Sequence, residues 1–421
     1  MKRYRIKLVL VVALTTFSCT GKSPHKNVIL IIPDGCSITI WAAVRAMTVG
    51  TDGVLNIDRL PIQGRCRTYA ANAMITDSAA SGTAYACGVK TNVGVLGMNA
   101  ETVRSDSLTG QPIETILEAA RREGYATGLV TTAVISHATP AAFYSHRANR
   151  DWYELISDDL LNAGVDVIMG GGREYMIPAG ATDEEGAPSK RTDSRNIIEE
   201  LQKKGYLYVY DDAGFKKVDT AGTAKLLGMF SPDHMNYELD RRNDVKGEPG
   251  LWEMTRTAIG ILSKNKRGFF LMIEAGRIDH AAHVHDTERF LWDGIACDKT
   301  VGVAREFAEK DGHTLVIVVP DHATGGPVLV GAYDKDGSAT SYDKGGFVHY
   351  KLDDNGFPVE PVGNTIALKW VDWEGHTGED VGYFALYGNG RSGPKETVDC
   401  SIHGLLNNTD IYGIMMDYLG L

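Results

Sequence analysis

GFFLMIEAGRIDHAAHVHD, residues 268–286, changes character halfway along its length. GFFLMI is an unbroken apolar run closed by Glu274 after residue 273. IDHAAHVHD, residues 278–286, then packs three histidines and two aspartates into nine positions. A short apolar run with a polar boundary reads as a strand buried on both faces. Asp279 and His283 stand i, i+4, so a helix after the strand would carry both on one side. A solvated helix face rich in His would look the same in isolation. The other strands decide between these readings.

Runs of the same kind recur at NVILII (27–32), YATGLVTT (125–132), VDVIMG (165–170), TLVIVV (314–319) and GYFALY (382–387). Amphipathic stretches such as PIETILEAARREG (112–124) and LWEMTRTAIGILSKN (251–265) separate several of them. Near-continuous apolar strands alternating with helices predict an α/β three-layer sandwich: a largely parallel central sheet with helices on both faces. Two regions break the alternation. Residues 173–196 are polar and Gly-rich and read as surface loop. Residues 331–372 carry turn signals such as DNG between short alternating runs, and read as a small β insertion. No Pro- or Ser-rich linker divides the chain into independent domains.

The chain has 421 residues, 43% hydrophobic and 23% charged, within the globular range. A net charge of −11 argues against a nucleic-acid surface as the main partner. An anionic substrate stays open, because a metal cluster can reverse the field inside a cleft. MKRYRIK, LVLVVAL and TTFSC give a basic, an apolar and a small-residue segment in the order of an export signal. The apolar part is too short to span a bilayer. We read 1–18 as a signal peptide of lipoprotein type, 19–26 as a tether lipidated at Cys19, and 27–421 as the catalytic domain. That places the protein outside the cytoplasm, as a periplasmic or outer-membrane lipoprotein; a plain signal peptide cut nearby is the simpler alternative. Cys36, Cys66, Cys87, Cys297 and Cys400 remain, an odd number that cannot all pair. No CxxC spacing marks a thiolate zinc site.

In open α/β sheets ligands bind beyond the carboxyl ends of the strands. NVILII leads into Asp34, YATGLVTT into His137 and Thr139, GFFLMI into Glu274 and Asp279, and TLVIVV into Asp321 and His322. One such residue is usually a turn or cap. Four strand ends carrying Asp, Glu, His and Thr together point to a mixed oxygen and nitrogen metal site. His376, in EGHTGED, has no regular context of its own. In ITDSAASGTAYACG (75–88), Ser78 precedes a small-residue helical pattern. It reads either as a helix cap or as a hydroxyl held at an anion-binding helix end. No GxSxG elbow surrounds it, so activation by a metal fits better than activation by a base. Arg147 and Arg150, in SHRANRDW, are both candidates to grip an oxyanion.

TDSAASGTAYACGVKTNVGVLG, ISHATPAAFYSHRANR, GFFLMIEAGRIDHAAH, LVIVVPDHATGG and EGHTGEDV together resemble the alkaline phosphatase family, in the family's order. LLGMFSPDHMNYELDRR and SIHGLLNNTDIYG extend the likeness across most of residues 27–421. The resemblance implies a homodimeric phosphomonoesterase with two zinc ions and one magnesium ion per subunit. It implies Ser78 as the nucleophile that is phosphorylated, and Arg150 rather than Arg147 as the phosphate clamp. It assigns Asp279, His283 and His376 to one zinc. Asp34, Asp321, His322 and the Ser78 oxygen go to the other. Asp34, Thr139 and Glu274 go to magnesium. His285 and Asp286 fall outside these sets. His137 and His280 depart from the commonest bacterial pattern and resemble vertebrate members, which makes both candidates to act through water rather than as direct ligands. Ser231 stands where vertebrate members carry an acidic calcium ligand, so that site is not clearly retained.

Two rival readings have their own discriminators. A phosphodiesterase or another hydrolase of the wider superfamily differs in loops around the same cluster; a sulfatase would need a CxPxR segment, which is missing. A non-catalytic lipoprotein that binds phosphate or metal would show a disrupted nucleophile or cluster, and every position here is filled.

Overall fold

The computed structural model describes residues 25–333, 350–362, 365–388 and 402–421. The signal segment, Cys19 and Cys400 lie outside them. Ten strands form one sheet: β1 (Lys26–Ile32), β2 (Ile62–Arg67), β3 (Ala126–Val134), β4 (Val167–Gly171), β5 (Leu207–Val209), β6 (Leu226–Met229), β7 (Gly268–Glu274), β8 (Thr314–Val318), β9 (Val381–Tyr387) and β10 (Gly404–Asn407). Their spatial order is β10-β2-β9-β8-β1-β7-β3-β4-β6-β5. All neighbours run parallel except β9, which is antiparallel to both β8 and β2.

β1 lies mid-sheet between β7 and β8, with Ile32 opposite Glu274. Its alternate side chains enter two separate cores. Val28, Leu30 and Ile32 pack with Ile411 and Met415 of the C-terminal helix. Ile29 and Ile31 pack with Met254 and Ala258 of helix Leu251–Leu262 and with Phe290 of helix Thr287–Asp311. This division of one strand between two cores is what a three-layer sandwich requires, and it explains why the strand sequence is apolar at every position.

The polar stretch 173–196 is largely irregular, as its composition indicates, but its charges are not all at the surface. Arg173 and Asp183 are both fully buried in a 2.9 Å ion pair, and Arg191 is buried against Asp158 and Asp193. Composition marks such a segment as loop, while paired charges let it pack inward. Beyond β8, among the described residues, three small antiparallel pairs stand outside the main sheet: His376–Thr377 against Ala323–Thr324, and two more. One joins Val328–Tyr333 to Thr365–Lys369 and the other joins Tyr350–Leu352 to Pro358–Pro361. Cys36, Cys66, Cys87 and Cys297 are buried and unpaired.

Candidate functional site

The ends of β1, β3, β7 and β8 converge as the strand-end rule predicts. Asp34, Thr139, Glu274, Asp321 and His322 are fully buried, and Asp279 is nearly so. The chain turns sharply after Asp34 because Gly35 adopts φ 67. A Cβ at Gly35 would fall 2.4 Å from Asp279 Oδ1 and 2.7 Å from its Cα, so only glycine lets the β1 turn approach the helix Arg277–His283.

Three sets of possible ligand atoms, each within 4.8 Å of one another, form a chain. The first is Asp279, His283 and His376; the second is Asp34, Asp279 and His322; the third is Asp34, His137 and Glu274. Shared Asp279 and Asp34 make them one continuous centre. His283 Nε2 lies 3.2 Å from Asp279 Oδ2. The His322 and His376 rings are stacked at 3.6 Å. Asp279 occupies the place in the second set that the resemblance assigns to Asp321. Asp321 is adjacent, with Oδ2 3.2 Å from His322 Nε2 and Oδ1 accepting from the Gly35 N–H at 3.2 Å. His137 stands with Asp34 and Glu274, closer to the third set than an outlying role requires.

The charges are arranged for cations. Burial, then the charges of Asp321, Asp279 and Glu274, raises the Asp34 carboxyl well above its usual range. Burial likewise pushes Glu274 to about 7, against the opposing Thr131 hydroxyl, which hydrogen-bonds it. Asp321 rises to about 6 through burial and the Asp279 charge. Asp279 also feels burial, but its bond from His283 and the nearby imidazoles outweigh this and hold it well below the usual range. Burial lowers His322 and His376 to about 4, so their rings are neutral and keep a lone pair. Asp34 Oδ1, Glu274 Oε1, Asp321 Oδ2 and His137 Nδ1 are buried with no hydrogen-bond partner. Buried carboxylates that mutually repel and each keep one oxygen without a donor, interleaved with neutral imidazoles, are the donor set of a metal centre. Zinc and magnesium both fit, the first at the His-containing end and the second at the oxygen-rich end.

Ser78 opens the helix Ser78–Cys87, but the cap is Asp77, whose side chain accepts from the Ala80 N–H at 3.0 Å. With Asp77 filling the cap position in extended backbone, the Ser78 hydroxyl is left free of the helix end. Its Oγ lies 3.2 Å from His322 Nε2 and 3.5 Å from Asp34 Oδ2. The far nitrogen of His322 faces the Thr324 hydroxyl at 3.2 Å and not a carboxylate, so no Ser-His-Asp relay exists here. The two candidate arginines separate cleanly. Arg147 is engaged by Asp159 through both Nε and Nη2, at 2.9 and 2.5 Å. Arg150 sits in the site, donating to Asp77 Oδ2 and to His137 Nε2 at 3.0 and 3.1 Å.

His285 stacks on Trp370 and Asp286 caps the helix Thr287–Asp311, so both stand apart from the centre. His280 stays beside the centre, its ring 5.6 Å from that of His137. Sequence reasoning missed Thr131, Thr324 and His234. Thr131 is one of three threonines in its strand, ATGLVTTAV, so polarity alone does not single it out. His234 lies in SPDHM, a segment with no periodicity, yet its ring is 4.3 Å from His280.

A family model for alkaline phosphatase matches residues 25–349. The alkaline phosphatase of Gadus morhua is 35% identical over 337 residues, covering 72% of this chain and 70% of that protein. A membrane-bound alkaline phosphatase of Bombyx mori is 34% identical over 421 residues, covering 86% of this chain and 75% of that protein. The solved alkaline phosphatase of the Antarctic bacterium TAB5 superposes with a TM-score of 0.74 at 25% identity, over 94% of this chain and 99% of that one. A mutant of that enzyme with a histidine changed to aspartate has magnesium bound in its M3 site. Among the described residues, no helix is long and apolar enough to cross a membrane.

Proposed function

The chain belongs to the alkaline phosphatase family of phosphomonoester hydrolases, and on that footing we propose that it works through a phosphoserine on Ser78, with two zinc ions and one magnesium ion per subunit. The observation that carries this reading is the Ser78 hydroxyl, within 3.5 Å of both Asp34 and His322 at the meeting of the ligand sets. Asp279, His283 and His376 would hold one zinc. Asp34, Asp321, His322 and the Ser78 oxygen would hold the second. Asp34, Thr139 and Glu274 would hold magnesium, with His137 joining directly or through water. Magnesium in the M3 site of the TAB5 mutant supports a third position. Divalent cations bound in such a centre supply charge stabilisation to the attacking and leaving oxygens of an in-line displacement and acidify a coordinated hydroxyl.

The chain's own residues do the rest. Asp77 and His137 seat Arg150 through Nη1 and Nη2, and its other N–H groups would hold equatorial phosphoryl oxygens. The first N–H groups of the Ser78 helix add donors and a positive dipole end on the same side. Ser78 Oγ forms the bond to phosphorus while the alcohol leaves; water then attacks from the vacated side and releases phosphate. Because every group named acts on the phosphoryl end, tolerance of many alcohols follows.

Metal content and turnover, measured together on the purified protein with p-nitrophenyl phosphate and its bis ester, test the reading. Monoester turnover with more than one metal per chain supports it. A preference for the diester would favour the phosphodiesterase alternative. Failure to turn over either would favour the phosphate- or metal-binding lipoprotein. We further propose a homodimer and an exported protein held by lipid on Cys19. The membrane-bound Bombyx mori relative is compatible with a membrane location. Radiolabelled fatty acid that never enters the wild type would remove the anchor.

A further inference from the structure

Tyr237 is flanked by two arginines, with Arg277 3.8 Å and Arg289 5.3 Å from its ring. Arg289 is fully committed to Asp240 and Asp286. Arg277 is not. Among the described residues no carboxylate lies within the 4.0 Å of an ion pair, and its Nε is buried with no hydrogen-bond partner. Its one hydrogen-bond contact is from Nη1 to His280 Nδ1, at 2.7 Å. Arginine cannot accept, so His280 Nδ1 is the acceptor and its Nε2 carries the hydrogen. A half-buried cation left unpaired beside an active centre bears a desolvation cost that an anion would relieve.

The placement gives that anion a direction. Arg150 donates to His137 Nε2 at 3.1 Å, the His137 ring faces His280 at 5.6 Å, and His280 meets Arg277. His234 closes the flank, 4.3 Å from His280, and accepts from the Val134 N–H at 3.0 Å through Nδ1, which leaves its hydrogen on Nε2, 3.9 Å from Asp233 Oδ1. A row of donors therefore runs from the phosphate-holding arginine to the unpaired one. We propose that Arg277, with the Nε2–H groups of His280 and His234, forms a second anion subsite that selects phosphate monoesters bearing another anionic group a few bonds from the scissile ester. This rests on the phosphomonoesterase reading above.

The test is a ratio. kcat/KM is measured for propyl phosphate and for the bisphosphates of two-, three- and four-carbon alkanediols, in wild type, Arg277→Met and Arg277→Lys. The wild type is expected to prefer at least one bisphosphate by about tenfold, the factor set by a single charge-assisted hydrogen bond. That preference should weaken with added salt. Arg277→Met should abolish it while leaving propyl phosphate within about twofold, and Arg277→Lys should keep part of it. A wild type with no bisphosphate preference overturns the subsite, as does a variant that loses both substrates equally. Should Arg277→Met not fold, the wild-type ratio and Arg277→Lys still decide. Loss of propyl phosphate turnover in the wild type itself would instead overturn the underlying activity.

Discussion

Asp77 is the residue on which the geometry of Arg150 and Ser78 depends together. It caps the Ser78 helix at Ala80, accepts from the Gly94 N–H at 3.0 Å, and pairs with Arg150 at 3.0 Å. The two side chains of the pair are only 17% and 11% exposed, so solvent screens little of the interaction. Asp77→Ala loses the cap, about 1 kcal/mol. It also leaves a buried guanidinium unpaired, about 3–5 kcal/mol. These losses share one side chain and do not add, so the expected total is about 3–5 kcal/mol, a large part of the ~5–15 kcal/mol of a typical domain. Asp77→Asn keeps an acceptor for Ala80 but turns a donor toward Arg150; it should cost less stability yet weaken inhibition by inorganic phosphate by about tenfold. The pH dependence has a definite sign. Burial would raise the Asp77 carboxyl, but the Arg150 charge and the bonds from Ala80, Arg150 and Gly94 outweigh it and hold it below the ordinary 3.8. Its contribution is therefore present above the unfolded value and is lost as pH falls through the folded one. Urea midpoints of metal-saturated wild type and Asp77→Asn should converge below about pH 4. A constant gap from pH 6 to 3, or Asp77→Ala within about 1 kcal/mol of wild type, would refute the reasoning.

Ser78→Ala should remove phosphoserine labelling and reduce turnover by several orders of magnitude, with metal content by elemental analysis nearly unchanged; full activity with an intact burst would sink the covalent route. His137→Asp adds a negative charge beside Asp34 and Glu274, so it should tighten magnesium and make activity more dependent on it. Identical magnesium titrations of the metal-stripped proteins at fixed zinc would remove His137 from that site. Arg173→Leu strands the fully buried Asp183 and should cost about 3–5 kcal/mol in a denaturation series. Asp183→Asn, which keeps an acceptor, should cost less.

The centre of the sheet was legible because strands buried on both faces leave a short run of apolar residues, as in β1, β7 and β8. The same physics hides direction: Val381–Tyr387 is buried throughout, and its side chains would look alike pointing either way. β2, IQGRCR, was invisible because half its side chains face solvent, and β5 and β10 are too short for a period to emerge. At the site, the ligands that end strands were legible and their supports were not. Thr131, Thr324 and Asp77 hold Glu274, Asp279 and Arg150 from positions that local sequence marks only as strand, turn and cap. Asp321 shows the limit from the other side. Its strand-end position announces a ligand and it stands against His322, with Oδ2 3.2 Å from Nε2, but nothing in the sequence shows that Asp279, brought near by the Gly35 turn, is common to two of the sets. How closely the turn after Asp34 approaches the helix carrying Asp279 is decided by Gly35, with its positive φ and no Cβ, and that glycine is the trace of the approach in the chain.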